Sequence, residues 1–351
     1  MARKSATTKT TNQTITRAAT QIAALSVDLG NAYSNLQADG GISDDWRSVQ
    51  GVISNASRMG DLPFDSAIHY DNAWRVFGGA AITHTAHIED FPTTDRYTSK
   101  FYKRLFAFAL HRAYGLRFAE SPFYPKVIAS IPAREFAIEA RVEQVRANLV
   151  GPYMIETTHK MCLQVDVMAD NLTIIPEGAG AFYAAVKSLP NHPAENGTWL
   201  VLDLGYLTAD MVAFRDSEYM PDMASSSADL GIRFVADRVA RFVRGEGGPS
   251  LDPSFYDPQL GCDSIQVNGR LFDIKSARTQ AVTDLAERIA RFVARVASDQ
   301  AVTGVILAGG GAELVRPFIQ LNGLPAPVLA PNPRRANVEG AYQMLADMIA
   351  E

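Results

Sequence analysis

The sequence predicts an α/β protein with mixed sheets. Three observations carry the prediction. Apolar strand-like runs and amphipathic helical stretches are interleaved throughout. Two segments, 22–38 and 199–214, read as strand pairs, and each opens one half of the chain. The 351 residues, 47% of them hydrophobic, suffice for two domains or one large one. A purely alternating strand–helix repeat fits less well, because the two opening pairs look like hairpins.

Order is expected from about Gln21. IAALSVDLG reads as a buried strand ending in a turn, and AYSNLQA as its partner. Residues 39–72 are mixed, with DGGISDD a loop, and WRVFGGAA around Trp74 is a short strand and turn. TSKFYKRLFAFALHRAY is a helix with apolar positions at Phe101, Leu105, Phe108 and Ala109. KVIASIPA is a buried strand stopped by proline, and REFAIEARVEQVRANL is helical. Residues 153–168 suit two strands, and LTIIPEGAGAFYAAVKSL is strand, turn and helix. After the second hairpin, ADLGIRFVADRVARFVR from Ala228 is an amphipathic helix, and 246–275 is loop-rich. ARTQAVTDLAERIARFVARVAS is the longest helix. GVILAGGGAELVRPFIQ is strand, glycine turn and helix, and NVEGAYQMLADMIA closes the chain as a helix.

A formal net charge of −5 argues against coating nucleic acid through bulk charge, though not against a local basic patch. Cys162 and Cys262 stand alone with no CxxC or Cys/His cluster, so a zinc site is not expected. Two isolated thiols suit a reducing cytoplasm and are expected to be buried or inert. No apolar run is long enough for a transmembrane helix, and the N-terminus lacks the apolar core of a secretory signal. Residues 1–20 carry Arg3, Lys4, Lys9 and Arg17 and no acid. They read as a disordered tail or, alternatively, a basic arm for DNA, a partner or a neighbouring subunit.

The chemistry lies where the hairpins turn. Val27-Asp28-Leu29-Gly30-Asn31-Ala32-Tyr33-Ser34 and Leu202-Asp203-Leu204-Gly205-Tyr206-Leu207-Thr208-Ala209-Asp210 share one pattern: strand, Asp, apolar residue, Gly, then a hydroxyl. Glycine lets backbone N–H groups approach phosphate oxygens, and a strand-end carboxylate can hold Mg²⁺, usually through its waters. One such turn is also an ordinary turn; two at matched strand ends could clamp a triphosphate from both sides. A third element, Gly309-Gly310-Gly311, follows an apolar strand and opens a helix. It could lie flat against a nucleoside, or be a tight strand-to-helix turn. Glu177 is read either as a catalytic acid or as a favourable acid in a helix's first turn. Asp210 is read as a cleft wall or a strand-end turn. His69, His84, His87, His111, His159 and His192 show no metal spacing.

As a set, these motifs resemble the actin-like ATPase superfamily, which includes actin, the heat-shock chaperone ATPases, sugar kinases and bacterial actin homologues. The two hairpins match its phosphate motifs, the triple glycine its adenosine motif, and IIPEGAGAFYAAV and ANVEGAYQML its connecting helices. The resemblance implies two ribonuclease-H-like domains with mixed five-stranded sheets flanked by helices, and a nucleotide in the cleft between them. It implies domain I at 21–176 plus 336–351 and domain II at 177–335. It further implies ATP or ADP, with GTP an alternative, and Mg²⁺ organised by Asp28 and Asp203, mainly through waters. Gly30, Asn31, Ala32, Ser34, Gly205, Tyr206, Thr208 and Asp210 would line the phosphates; Gly309, Gly310 and Gly311 the adenosine. Glu177 would orient the attacking water, making Glu177, Asp203 and Asp28 the catalytic set.

One departure stands out: many actins carry lysine seven positions after the first Asp, where this chain has Asn35. Within the superfamily, the chain most resembles the plasmid-segregation (ParM-like) type. It stops after the last helix, shows no zinc motif, and carries no basic residue in AYQMLADMIAE to suit a membrane helix. The implied activity is a cytoplasmic ATPase that self-assembles head to tail into filaments for DNA segregation or positioning. A DNA-binding adaptor would read the cargo, as no sequence-specific nucleic-acid reader and no membrane anchor is evident. Alternatives are a small-molecule kinase of the same fold and a non-polymerising nucleotide-binding regulator.

Overall fold

The computed structural model describes residues 23–351 except 31, 54–61, 63–64, 86, 90–91, 93–94, 116–121, 159, 189–196 and 298–300. The basic tail, Asn31, His159 and His192 lie outside the described residues. The first half begins with a meander, β1 (Ala24–Leu29), β2 (Tyr33–Ala38) and β3 (Ile42–Arg47). Then come β4 (Gln50–Ile53), β5 (Ala67–Tyr70), β6 (Ala73–Phe77), α1 (Gly78–His84) and β7 (Ile88–Glu89). They are followed by α2 (Lys100–Tyr114), β8 (Lys126–Ile131), α3 (Ala133–Phe136) and α4 (Glu139–Leu149). β9 (Gly151–Thr157), β10 (Cys162–Val167), β11 (Leu172–Pro176) and α5 (Ala179–Ser188) complete it.

The second half repeats the plan. It opens with β12 (Thr198–Leu204), β13 (Ala209–Arg215), β14 (Glu218–Tyr219) and β15 (Ser225–Ser227). It continues through α6 (Arg233–Gly245), the hairpin β16 (Ser264–Val267) and β17 (Arg270–Asp273), and α7 (Lys275–Ala297). β18 (Val302–Ala308), α8 (Ala312–Val315), β19 (Val328–Leu329) and α9 (Ala336–Ala350) close the chain.

One sheet has the order β11-β8-β1-β2-β3, and another the order β14-β13-β12-β18-β19 with β15 also on β13. In both, the hairpin is antiparallel and the two later strands join parallel to its first strand. The first half adds a sheet β10-β9-β5-β6-β4-β7. Each half has its own core, one around Leu105, Phe106 and Ile155, the other around Leu202, Val239 and Leu285. A third cluster joins them, where Ala181 and Ala185 of α5 and Ala341 and Leu345 of α9 pack with Ile128 and Val201. Gly180 and Gly340 make this junction tight. A Cβ on Gly180 would lie 1.9 Å from the Asn337 carbonyl oxygen, and one on Gly340 1.8 Å from that of Gly180.

Several local expectations change. ISDDWR is strand β3 rather than loop; its acids are tied down, Asp44 to Arg112 and Asp45 to Arg334. The segment after Phe77 is helical, and α6 starts five residues later than expected, because 228–232 turns to meet the second hairpin. The loop-rich stretch contains the β16–β17 hairpin, and the helix after the triple glycine is a single turn. Both cysteines are exposed, not buried. Among the described residues, no helix is long and apolar enough to cross a membrane.

Candidate functional site

The site is built where the two hairpins end. Asp28 pairs with Asn35 of β2 and Ser130 of β8. Asp203 pairs, in the same arrangement, with Asp210 of β13 and Ala308 of β18. The second turn is closed by the Gly205 N–H on the Thr208 carbonyl at 3.0 Å. The N–H groups of Ile232 and Arg233, ahead of and opening α6, donate to the carbonyls of Gly205 and Tyr206. The first turn is held by the Ser48 N–H on the Ala32 carbonyl at 2.9 Å.

The glycine turn closes on the second hairpin. Gly309 has φ +84, and its N–H donates to Pro333 at 2.8 Å; the Gly311 N–H donates to Leu204 at 2.9 Å. A Cβ at Gly309 would lie 2.2 Å from Asp203 Oδ1, so only glycine lets the turn close against that carboxylate. Glu177 follows β11, its N–H on the Ile131 carbonyl at 2.7 Å. Asn337, in the first turn of α9, accepts from the Gly178 N–H at 2.9 Å and donates from Nδ2 to Asp203. One side chain thereby ties Glu177's turn to the second hairpin.

These elements surround one cavity of about 320 Å³. It brings together Asp28, Glu177, Asp203 and Asp210, Gly30 and Ala32, Gly205, Tyr206 and Thr208, and Gly309, Gly310 and Gly311. Ser34 is the exception. Side chains alternate along β2, so Tyr33 and Asn35 face the cavity while Ser34 points away, its Oγ 2.8 Å from that of buried Ser48. The expectation that Ser34 lines the phosphates is therefore corrected: its hydroxyl is spent inside the fold.

The cavity is strongly acidic. Burial, with the neighbouring Asp28, Asp210 and Asp203, pushes the Glu177 carboxyl well above the usual range. Burial and the other aspartates push Asp203 up to about 7, and burial pushes Asp28 up to about 6 against a hydrogen bond from Ser130. Burial also raises Asp210, against hydrogen bonds from the hydroxyls of Thr208, at 2.7 Å, and Ser226. Carboxylates crowded this way want a cation. Among the described residues, no three acidic, histidine or cysteine side chains form a direct metal-ligand group. The donor set suits an ion that keeps most of its own water, as Mg²⁺ does.

Sequence reasoning missed several walls of the site. Arg96, on a 3₁₀ turn ahead of α2, enters the cavity, and so do Asn337, Asp257 and Arg334. A polar Asn among the buried Ala336, Val338 and Ala341 was a readable signal for Asn337. The others carry no local signature. Contacts that bridge the halves at the mouth include three of note. Tyr33 hydrogen-bonds Asp257, Arg47 Nη2 donates to the Ser254 carbonyl at 3.0 Å, and Arg334 Nη2 donates to Asp45 at 2.8 Å.

Two sheets of matching strand order, their hairpin turns facing one cleft and their connecting helices crossed behind it, decide the fold. It is the actin-like fold. Residues 201–320 match the family model for the C-terminal part of archaeal MreB-like actin homologues. The chain is similar to Ta0583, an archaeal actin homologue, at TM-score 0.78 and 17% identity, over 93% of this chain and 100% of that one. The same homologue in complex with ADP superposes at TM-score 0.77, with 17% identity over 93% and 100% of the two chains. A ParM from a 15-stranded filament of Clostridium botulinum is similar at TM-score 0.73 and 18% identity, over 93% and 99%. No curated protein sequence matches this chain.

Proposed function

We propose that this chain is a nucleotide-dependent, self-assembling ATPase of the ParM-like kind. In this reading the domains are 21–176 with 336–351, and 177–335. The carrying observation is the single cavity walled by Asp28 and Asp203 from opposite hairpins and floored by the glycine turn. The ADP complex of the archaeal homologue and the ParM filament support it by analogy. Asp28 and Asp203 would hold Mg²⁺, and Gly30, Ala32, Gly205, Tyr206 and Thr208 would line the phosphates. Gly309, Gly310 and Gly311 would carry the nucleoside. The cation, when bound, supplies charge neutralisation for the phosphates. Burial and the neighbouring aspartates raise the Glu177 carboxyl; neutralisation of those neighbours would favour its carboxylate form, which would then orient the attacking water. Closing the cleft fixes the angle between the halves, which would set head-to-tail contacts between copies. A DNA-binding adaptor would connect such filaments to cargo.

The test is sedimentation and light scattering of the full chain with Mg²⁺ and ATP, ADP or neither, alongside phosphate release. ATP-dependent assembly with phosphate release is expected. Binding and turnover without assembly would leave a regulator, and turnover that requires a sugar or other small hydroxylated acceptor would leave a kinase.

A further inference from the structure

The proposed ligand brings a charge problem. Five carboxylates, Asp28, Glu177, Asp203, Asp210 and Asp257, already line the cavity, and a triphosphate adds several negative charges, of which one Mg²⁺ cancels two. Among the described cavity-lining residues, the cations are Arg96 and Arg334. Arg334 is engaged at the mouth, with Asp45 at 2.8 Å and its guanidinium 5.1 Å from the centre of the Tyr33 ring. Arg96 stands on a rigid turn. Its turn, Arg96–Thr98, starts from Asp95 in a left-handed conformation, whose carbonyl accepts from both the N–H and the hydroxyl of Thr98. Ser99 caps α2 and donates back to the Arg96 carbonyl. Asn148 of α4 donates to the Tyr97 carbonyl at 2.7 Å, and Tyr97 is buried edge-on against Tyr102. The turn is bolted to two helices, and the guanidinium lies 4.4 Å over the Tyr97 ring. Its positive charge acts on Asp28, Glu177 and Asp210, lowering all three against the burial that raises them.

We propose that Arg96 is the protein's cation for the terminal phosphate of a nucleoside triphosphate bound in this cavity, where it pairs with oxygens that a diphosphate lacks. It enters from the turn before α2, an element outside both hairpins and the glycine turn. A planar fork suits a phosphoryl group, and the Tyr97 ring packs against it. Asn35, on the first hairpin, carries no charge to compete for this role. The inference rests on the nucleotide reading of the cleft.

The experiment measures equilibrium affinity of the full chain for fluorescent ATP and fluorescent ADP, with Mg²⁺, in the wild type, Arg96→Gln and Arg96→Lys. Loss of one charge-assisted pair predicts about tenfold weaker ATP binding in Arg96→Gln with ADP changed less than about twofold. Arg96→Lys should recover part of the ATP affinity. The glutamine keeps a stem over Tyr97, and unchanged ADP binding reports an intact fold. Equal loss for both nucleotides, or none for ATP, overturns the assignment of Arg96 alone. A wild type that binds neither nucleotide overturns the cleft reading and this inference with it.

Discussion

The two hairpins share a register but not a chemistry. Asp28 faces Asn35 across the first; Asp203 faces Asp210 across the second. The second is the more firmly seated. Its strand β13 is buried along nearly its whole length, its turn is clamped by the start of α6, and the glycine turn closes on its Leu204 and Asp203. The first hairpin instead offers Tyr33, which crosses to Asp257. The comparison teaches that a repeated motif need not mean repeated work. One copy acts as a fixed seat, and the other carries contacts that reach over the cleft.

Removing the carboxylates tests the comparison most severely. Asp28→Ala and Asp203→Ala should each weaken Mg²⁺-nucleotide binding about 100-fold or more, read by fluorescent-nucleotide titration. Comparable losses mean that the hairpins share one ion; a loss confined to Asp203 would assign the ion to the second alone. Glu177→Gln should slow phosphate release by about 100-fold with nucleotide affinity little changed, and should prolong any filament. Unaltered turnover would remove Glu177 from the chemistry. Asn35→Asp makes the first hairpin a charge copy of the second. It should weaken ATP binding by about tenfold, because one more carboxylate in the cavity wall repels the phosphates.

A pH series gives a smaller effect. Asp203 titrates at about 7 in the folded, nucleotide-free chain, against 3.8 without its surroundings. The folded state therefore holds the extra proton between those values, and this group's contribution to stability is lost as pH rises through that window. Asp203→Asn avoids the loss and keeps an acceptor for Asn337. Its melting temperature should gain on the wild type by about a few degrees from pH 4 to 7, then level off. A gap that stays constant with pH would mean that Asp203 is not held protonated. The smallest change is expected from Tyr33→Phe, which removes the hydroxyl bridging to Asp257. It should speed release of labelled ADP about two- to threefold, and unchanged release would remove that bridge from the gating of the cleft.

Much of the fold was legible because its signals are local. The hairpins, Gly309–Gly311 and the helices α2, α5, α7 and α9 announce themselves through periodicity and turn residues. β3 was not legible, since ISDDWR owes its place to partners distant in sequence, Arg112 and Arg334. Of the candidate site, the carboxylates and glycines sit on motifs, and the cavity gathers them. Ser34 was misplaced because a hydroxyl in a motif says nothing of which sheet face it occupies. Arg96, Asp257 and Arg334 reach the cavity only through tertiary packing, so no spacing rule could point to them.

The crossing of α5 and α9 has a mechanical meaning. Backbone meets backbone at Gly180 and Gly340, with no side chains interlocked at the point of contact. Such a point can serve as a bearing: the two helices stay together there while the small side chains around it, Ala181, Ala185 and Ala341, slide past one another. Displacement then grows with distance from it, and small tilts behind the cleft become ångström-scale travel at the outer rim. A single methyl group at either glycine would jam the bearing.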